Sequence, residues 1–90
     1  MDAELQEMLD HFRTRKVLAA YCHGCDRGDS ELMASVYAKD SWDDHGAIKA
    51  PGPEFVTAIM QSLRDDTETL SHLLGLSIIN VDGDRAGAET

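Results

Sequence analysis

The sequence predicts an α+β domain with helices packed on one face of a curved antiparallel sheet, and three observations carry that expectation. Apolar residues recur at helical spacing over the first 26 positions, with no proline among them. Pro51-Gly52-Pro53-Glu54 then opens a second amphipathic stretch. After residue 67 the period drops to two and ends at Asp82-Gly83-Asp84, a hairpin signature.

The first segment, Asp2 to about Asp26, reads as a helix, with Leu5, Met8, Leu9 and Phe12 on one stripe. A second stripe, Leu18, Tyr21, Cys22 and Cys25, follows i, i+3, i+4, i+7, and the join between them predicts a kink or a change of facing near Arg13 to Lys16. Asp26-Arg27-Gly28-Asp29 is a turn, after which Asp29 or Ser30 caps a short helix, Glu31 to Ala38, directing Leu32, Met33 and Val36 inward. Trp42 to Ala47 and Ile48 to Ala50 are short extended pieces around His45-Gly46. Gly52 caps a third helix, with Pro53 in its first turn, that buries Phe55, Val56, Ile59, Met60 and Leu63 and ends by Asp66. Thr67 to Val81 then reads as one long strand, with Leu70, His72, Leu74, Leu76 and Ile78 on one face and Leu73, Ile79 and Val81 on the other. Arg85 to Thr90 opens the returning strand.

Composition narrows the function classes. Ninety residues, 42% of them apolar, fit one globular domain, and the formal net charge of −9 disfavours nucleic acid or an anionic membrane as partner, since both need clustered Lys and Arg. No apolar run approaches the ~20 residues that span a bilayer, and the acidic N-terminus is unlike a signal peptide, so a cytoplasmic protein is expected. Two cysteines are too few to staple a fold.

Several residues carry possible chemistry. Cys22-His23-Gly24-Cys25 has the spacing of a redox pair or half a zinc site, yet it lies near a helix C-terminus and has no second close-spaced pair. The expectation is two small residues one turn apart on a buried face, with no metal and no disulfide. His72 has apolar parity-mates and is expected to point inward, either as a hydrogen-bonded core residue or as a base oriented by a carboxylate. Asp26 is the candidate carboxylate, its alternative role being a helix-terminal turn residue. Tyr21 can offer a phenol to a substrate oxygen or pack with its hydroxyl at the rim. An ideal helix sets Tyr21 and Asp26 about 140° apart, so a shared cavity needs loosening near Gly24 or a long reach. In Asp43-Asp44-His45-Gly46, alternation puts Asp43 and His45 on one face, either as a polar strand end or at a cavity mouth.

Tyr21-Cys22-His23-Gly24-Cys25-Asp26-Arg27-Gly28-Asp29, Asp43-Asp44-His45-Gly46, Gly52-Pro53-Glu54-Phe55, Ser71-His72-Leu73-Leu74-Gly75 and Val81-Asp82-Gly83-Asp84-Arg85-Ala86, in this order and spacing, resemble the SnoaL-like branch of the nuclear transport factor 2-like superfamily. The resemblance runs from about Leu5 to Thr90. It implies a cone-shaped curved antiparallel sheet packed against three N-terminal helices around an apolar pocket. Enzymes of this family, dehydratases among them, work without cofactors by proton abstraction and elimination. Their Tyr and the Asp five residues later match Tyr21 and Asp26, and the His paired with that Asp matches His72; dehydrochlorinase members carry Lys where Tyr21 stands.

Family domains continue beyond this length through further strands, so residues 1–90 are expected to be an incomplete domain, truncated before the closing strands. Leu74, Leu76 and Ile78 would then lack cover, and a second copy or a C-terminal piece would complete the sheet, which favours a homo-oligomer. The function expected is that of a cofactor-independent lyase or isomerase of a small apolar, cyclic substrate. His72 takes a proton from carbon, Asp26 holds the imidazole, and Tyr21 hydrogen-bonds the leaving or carbonyl oxygen. Trp42, His45 and Leu74 are expected to contact the substrate, with no metal and no cofactor. The alternative is a non-catalytic ligand-binding or dimerisation module of the same fold.

Overall fold

The computed structural model describes residues 2–66 and 69–90, so Thr67 and Glu68, the expected start of the long strand, lie outside the described residues. The elements run α1 (Ala3–Arg27), α2 (Ser30–Ala34), β1 (Trp42–Asp44), β2 (Lys49–Pro51), α3 (Gly52–Asp66), β3 (Ile78–Asp82) and β4 (Arg85–Glu89). The described residues thus form three helices and two small antiparallel sheets, β1–β2 and β3–β4. They cluster into two compact units, Ala20–His72 and a second made of the chain up to Ala19 with Leu73–Thr90.

The larger unit holds the core. Helix α1 is continuous through Arg13 to Lys16, and there the Thr14 hydroxyl donates to the Asp10 carbonyl at 2.8 Å. It ends because Gly28 adopts φ 67, a left-handed conformation open to glycine; the Gly28 N–H then bonds the Cys25 carbonyl and the Asp29 N–H the Gly24 carbonyl at 2.8 Å. Asp29 then caps α2 through its carboxylate and the Leu32 N–H. A Cβ on Gly24 would stand 2.6 Å from the Met33 backbone nitrogen, so a glycine is what lets α2 lie against α1. Helix α2 stops at Ala34 instead of Ala38, its last turn tightening into bonds from Val36 and Tyr37 back to Met33 and Ala34.

Phe55, Val56 and Met60 of α3 close over Cys25 and Met33, with Tyr21, Tyr37, Ile48 and Leu70 packed around them. Phe55 and Met33 have no exposed surface. The β1–β2 hairpin pairs Trp42 with Pro51 and Asp44 with Lys49, shorter than the extended pieces expected, because the chain turns at His45, whose N–H bonds the Ile48 carbonyl.

In the smaller unit, β3 and β4 form the expected hairpin, Asp82 opposite Arg85. The long strand expected from Thr67 to Val81 is corrected: only Ile78–Asp82 is strand, and residues 69–77 pair with no other strand among the described residues. A period-two pattern makes a strand only where a neighbour meets its N–H and C=O groups, and the β3–β4 register reaches no further than Ile78 opposite Glu89. Leu73 and Leu76 are accordingly 97% and 92% exposed.

Candidate active site

The larger unit brings two His–carboxylate pairs to the rim of its core. In the first, His72 arrives on the stretch 69–77, which is not strand, and meets Asp26 in the last turn of α1. The His72 backbone N–H donates to Asp26 Oδ2 at 2.7 Å, and Nδ1 of the imidazole lies 2.5 Å from Oδ1. Partial burial by itself would push the Asp26 carboxyl up, but the His72 backbone and side-chain hydrogen bonds, helped by the His72 and His23 imidazoles, outweigh it and hold the carboxyl below its ordinary value. At neutral pH Asp26 is therefore an acceptor only, and in the tautomer of His72 that donates Nδ1–H to it, Nε2 carries the lone pair.

The expectation that His72 points into an apolar interior is corrected, since its side chain is 36% exposed. Without strand geometry over residues 69–77 the parity argument has no purchase, and the imidazole goes where the carboxylate is. The 140° between Tyr21 and Asp26 needs no loosening of α1 either. The helix stays intact, and His72 reaches both residues, its ring edge-on to Tyr21 with centroids 6.2 Å apart.

The second pair is Asp43 and His45, which share a face as the alternation implied and join through Oδ1 and Nδ1. The other oxygen of Asp43 accepts from the Tyr37 hydroxyl. His45 stacks on Phe55, centroids 4.5 Å apart at 24°, and its Nε2 lies 3.3 Å from the Tyr21 hydroxyl. Both phenols are kept neutral. Burial raises Tyr21, with Cys25, Asp43 and Cys22 adding to it, and burial followed by the hydrogen bond to Asp43 raises Tyr37 further. Sequence reasoning missed Tyr37; its signal was a tyrosine six residues before Asp43, in a stretch read only as a helix end.

A cleft of about 390 Å³ includes Asp26 of the first pair but not His72 or Tyr21, and is lined on its apolar side by Cys25, Met60, Leu63 and Leu70 and on its polar side by Asp26, Arg27 and Arg64. That volume suits a small ligand. Arg64 belongs to a charged helix end to which the sequence assigned nothing. Trp42 is 65% exposed and does not line this cleft. Leu74 belongs to the smaller unit, where it lines a groove with Phe12, Leu18 and Ala19.

Cys22 and Cys25 are both free thiols. Cys25, Asp26 and His72 offer three donor atoms within 4.8 Å of one another, the one such group among the described residues. Burial first and Asp26 second push the Cys25 thiol up.

Among known protein families, the one described as SnoaL-like domain matches residues 6–90. No curated protein and no solved structure matches the chain.

Proposed function

Because the chain belongs to the SnoaL-like domain family of the nuclear transport factor 2-like superfamily, we propose that Asp26 and His72 form the base of a cofactor-independent lyase or isomerase acting on a small, mostly apolar, cyclic substrate. The family includes cofactor-independent isomerases and cyclases, and its domains commonly bind small molecules and often form oligomers. The observation that carries the reading is the double contact of His72 with one carboxylate, which aims Nε2 and stabilises the imidazolium that forms when it takes a proton.

An imidazole removes a proton from carbon only where an adjacent group accepts the charge, so the substrate carries a carbonyl or an equivalent sink. A neutral phenol such as Tyr21 is the donor suited to the departing oxygen. The apolar half of the cleft takes a ring, and Arg27 and Arg64 stand on its polar side. With this reading goes the finer architecture, a cone-shaped sheet in which further strands, such as those of a second copy, cover Leu74, Leu76 and Ile78. The exposure of those three side chains also favours the alternative, a module that binds or dimerises without catalysis. No helix among the described residues is long and apolar enough to cross a membrane.

The test uses 3-hydroxycyclohexanone, a cyclic β-hydroxy ketone, in deuterated water. Wild type is expected to exchange the protons α to the carbonyl and to release cyclohex-2-enone. Asp26→Asn and His72→Gln should be slower in both by ~100-fold or more. Equal rates in wild type and variants would sink the proposal.

A further inference from the structure

The base explains only half of an elimination, because the departing oxygen also needs a proton. We infer that Asp43 and His45 are a second acid–base pair that supplies this proton through the Tyr21 hydroxyl, so that the two histidines divide the reaction between them; the inference rests on the lyase reading above.

The geometry is specific on one point. With Nδ1 committed to Asp43, His45 presents Nε2 to Tyr21 at 3.3 Å, and the direction of that hydrogen bond is set by whether Nε2 carries a proton. When it does not, the Tyr21 O–H donates to Nε2 and is turned away from substrate. When His45 holds protons on both nitrogens, Nε2 donates to the phenol oxygen and the Tyr21 O–H is free to point outward. The groups facing His45 are Tyr21 from α1, Asp43 from β1 and the Phe55 ring from α3, and Tyr37 reaches it through Asp43. Asp43 is thus the carboxylate that steadies the doubly protonated imidazole, and Tyr37 fixes the carboxylate. Stacking on a fully buried ring keeps Nε2 aimed at Tyr21.

The step balances. The C–H bond breaks as His72 Nε2 takes the proton, its electron pair is held by the adjacent carbonyl as an enolate, and the pair then returns to form the C=C bond as the C–O bond breaks toward oxygen. That oxygen takes the Tyr21 proton and leaves as water, while the Tyr21 oxygen takes the Nε2 proton of His45. One histidine gains the proton the other loses, and exchange with solvent restores both.

This division predicts that the two halves of the reaction separate. His45→Gln and Tyr21→Phe should lower release of cyclohex-2-enone from 3-hydroxycyclohexanone at least ~10-fold more than they lower deuterium exchange at carbon. In His72→Gln both should fall together. Exchange retained by His45→Gln also shows that the variant folds, and Tyr21→Phe, which keeps the ring, guards against a packing effect. A second measurement needs no substrate: nitrogen-15 spectra of the imidazoles should show neutral His45 protonated at Nδ1, with its Nε2 resonance displaced in Tyr21→Phe. A proton on Nε2 of neutral His45, or elimination and exchange falling equally in His45→Gln, overturns the inference. Wild type that neither exchanges nor eliminates overturns the lyase reading instead, and the spectra still decide the pairing of His45 with Tyr21.

Discussion

One carboxylate fixes both the main chain and the side chain of its partner: Asp26 accepts from the His72 backbone N–H through Oδ2 and holds the imidazole through Oδ1. The segment after α3 is held to α1 at this point without being part of a sheet, and its position is therefore sensitive to a single charge.

Asp26→Asn keeps the size of the side chain but leaves one oxygen where there were two equivalent acceptors. The His72 amide should exchange with solvent about tenfold faster in the variant, given the strength of hydrogen bonds to charged acceptors. Amide exchange by NMR reads this directly, with the Leu32 amide, bonded to Asp29, as an internal standard.

The same contact sets an acid limit. Because folding lowers the Asp26 pKa, its contribution is fully present above the unfolded carboxylate value of ~3.9 and is lost as pH falls through the lower folded value. Protection of the His72 amide, corrected for intrinsic exchange, should be flat from about pH 7 to 5 and decline below ~4. A decline centred near neutral pH would mean that another group controls the segment.

Tyr37 sets the opposite limit. Its folded pKa is raised, so its stabilising effect is complete below the unfolded value of ~10 and is lost as pH rises above it. Wild type should lose stability to urea above about pH 10, and Tyr37→Phe, lacking the titrating proton, should lose less over the same interval.

Gly24→Ala tests the contact between α1 and α2. The added methyl would meet the Met33 backbone nitrogen at 2.6 Å, and backbone cannot rotate aside. A loss of about 1–3 kcal/mol is expected from overpacking, read as a lower urea midpoint. In an exposed helix the same change would stabilise.

What the sequence made legible was local. The Asp29 cap, the Gly52 start of α3, the inward face of Phe55, Val56 and Met60, and the hairpin at Gly83-Asp84 all follow from neighbours within a few residues. The long strand failed because period-two alternation reports which side chains are alike and not whether a partner backbone is present. The meeting of Asp26 and His72, 46 residues apart, came from the family resemblance; periodicity alone aimed His72 inward. The Tyr37–Asp43–His45–Tyr21 cluster was half visible, since alternation aligned Asp43 with His45, but the two tyrosines enter from other elements.

Phe55 has His45 lying flat against it and Tyr37 beside it at 6.0 Å, and with Met33 it is among the largest fully buried side chains of the described residues. The floor of the Tyr37–Asp43–His45–Tyr21 cluster is thus the keystone of the core. A mutational route that retunes His45 by reshaping what lies beneath it must pass through variants that melt early. Substitutions that alter reactivity at little cost in folding are confined to the outward-facing neighbours, and variation among descendants of this chain should accumulate there first.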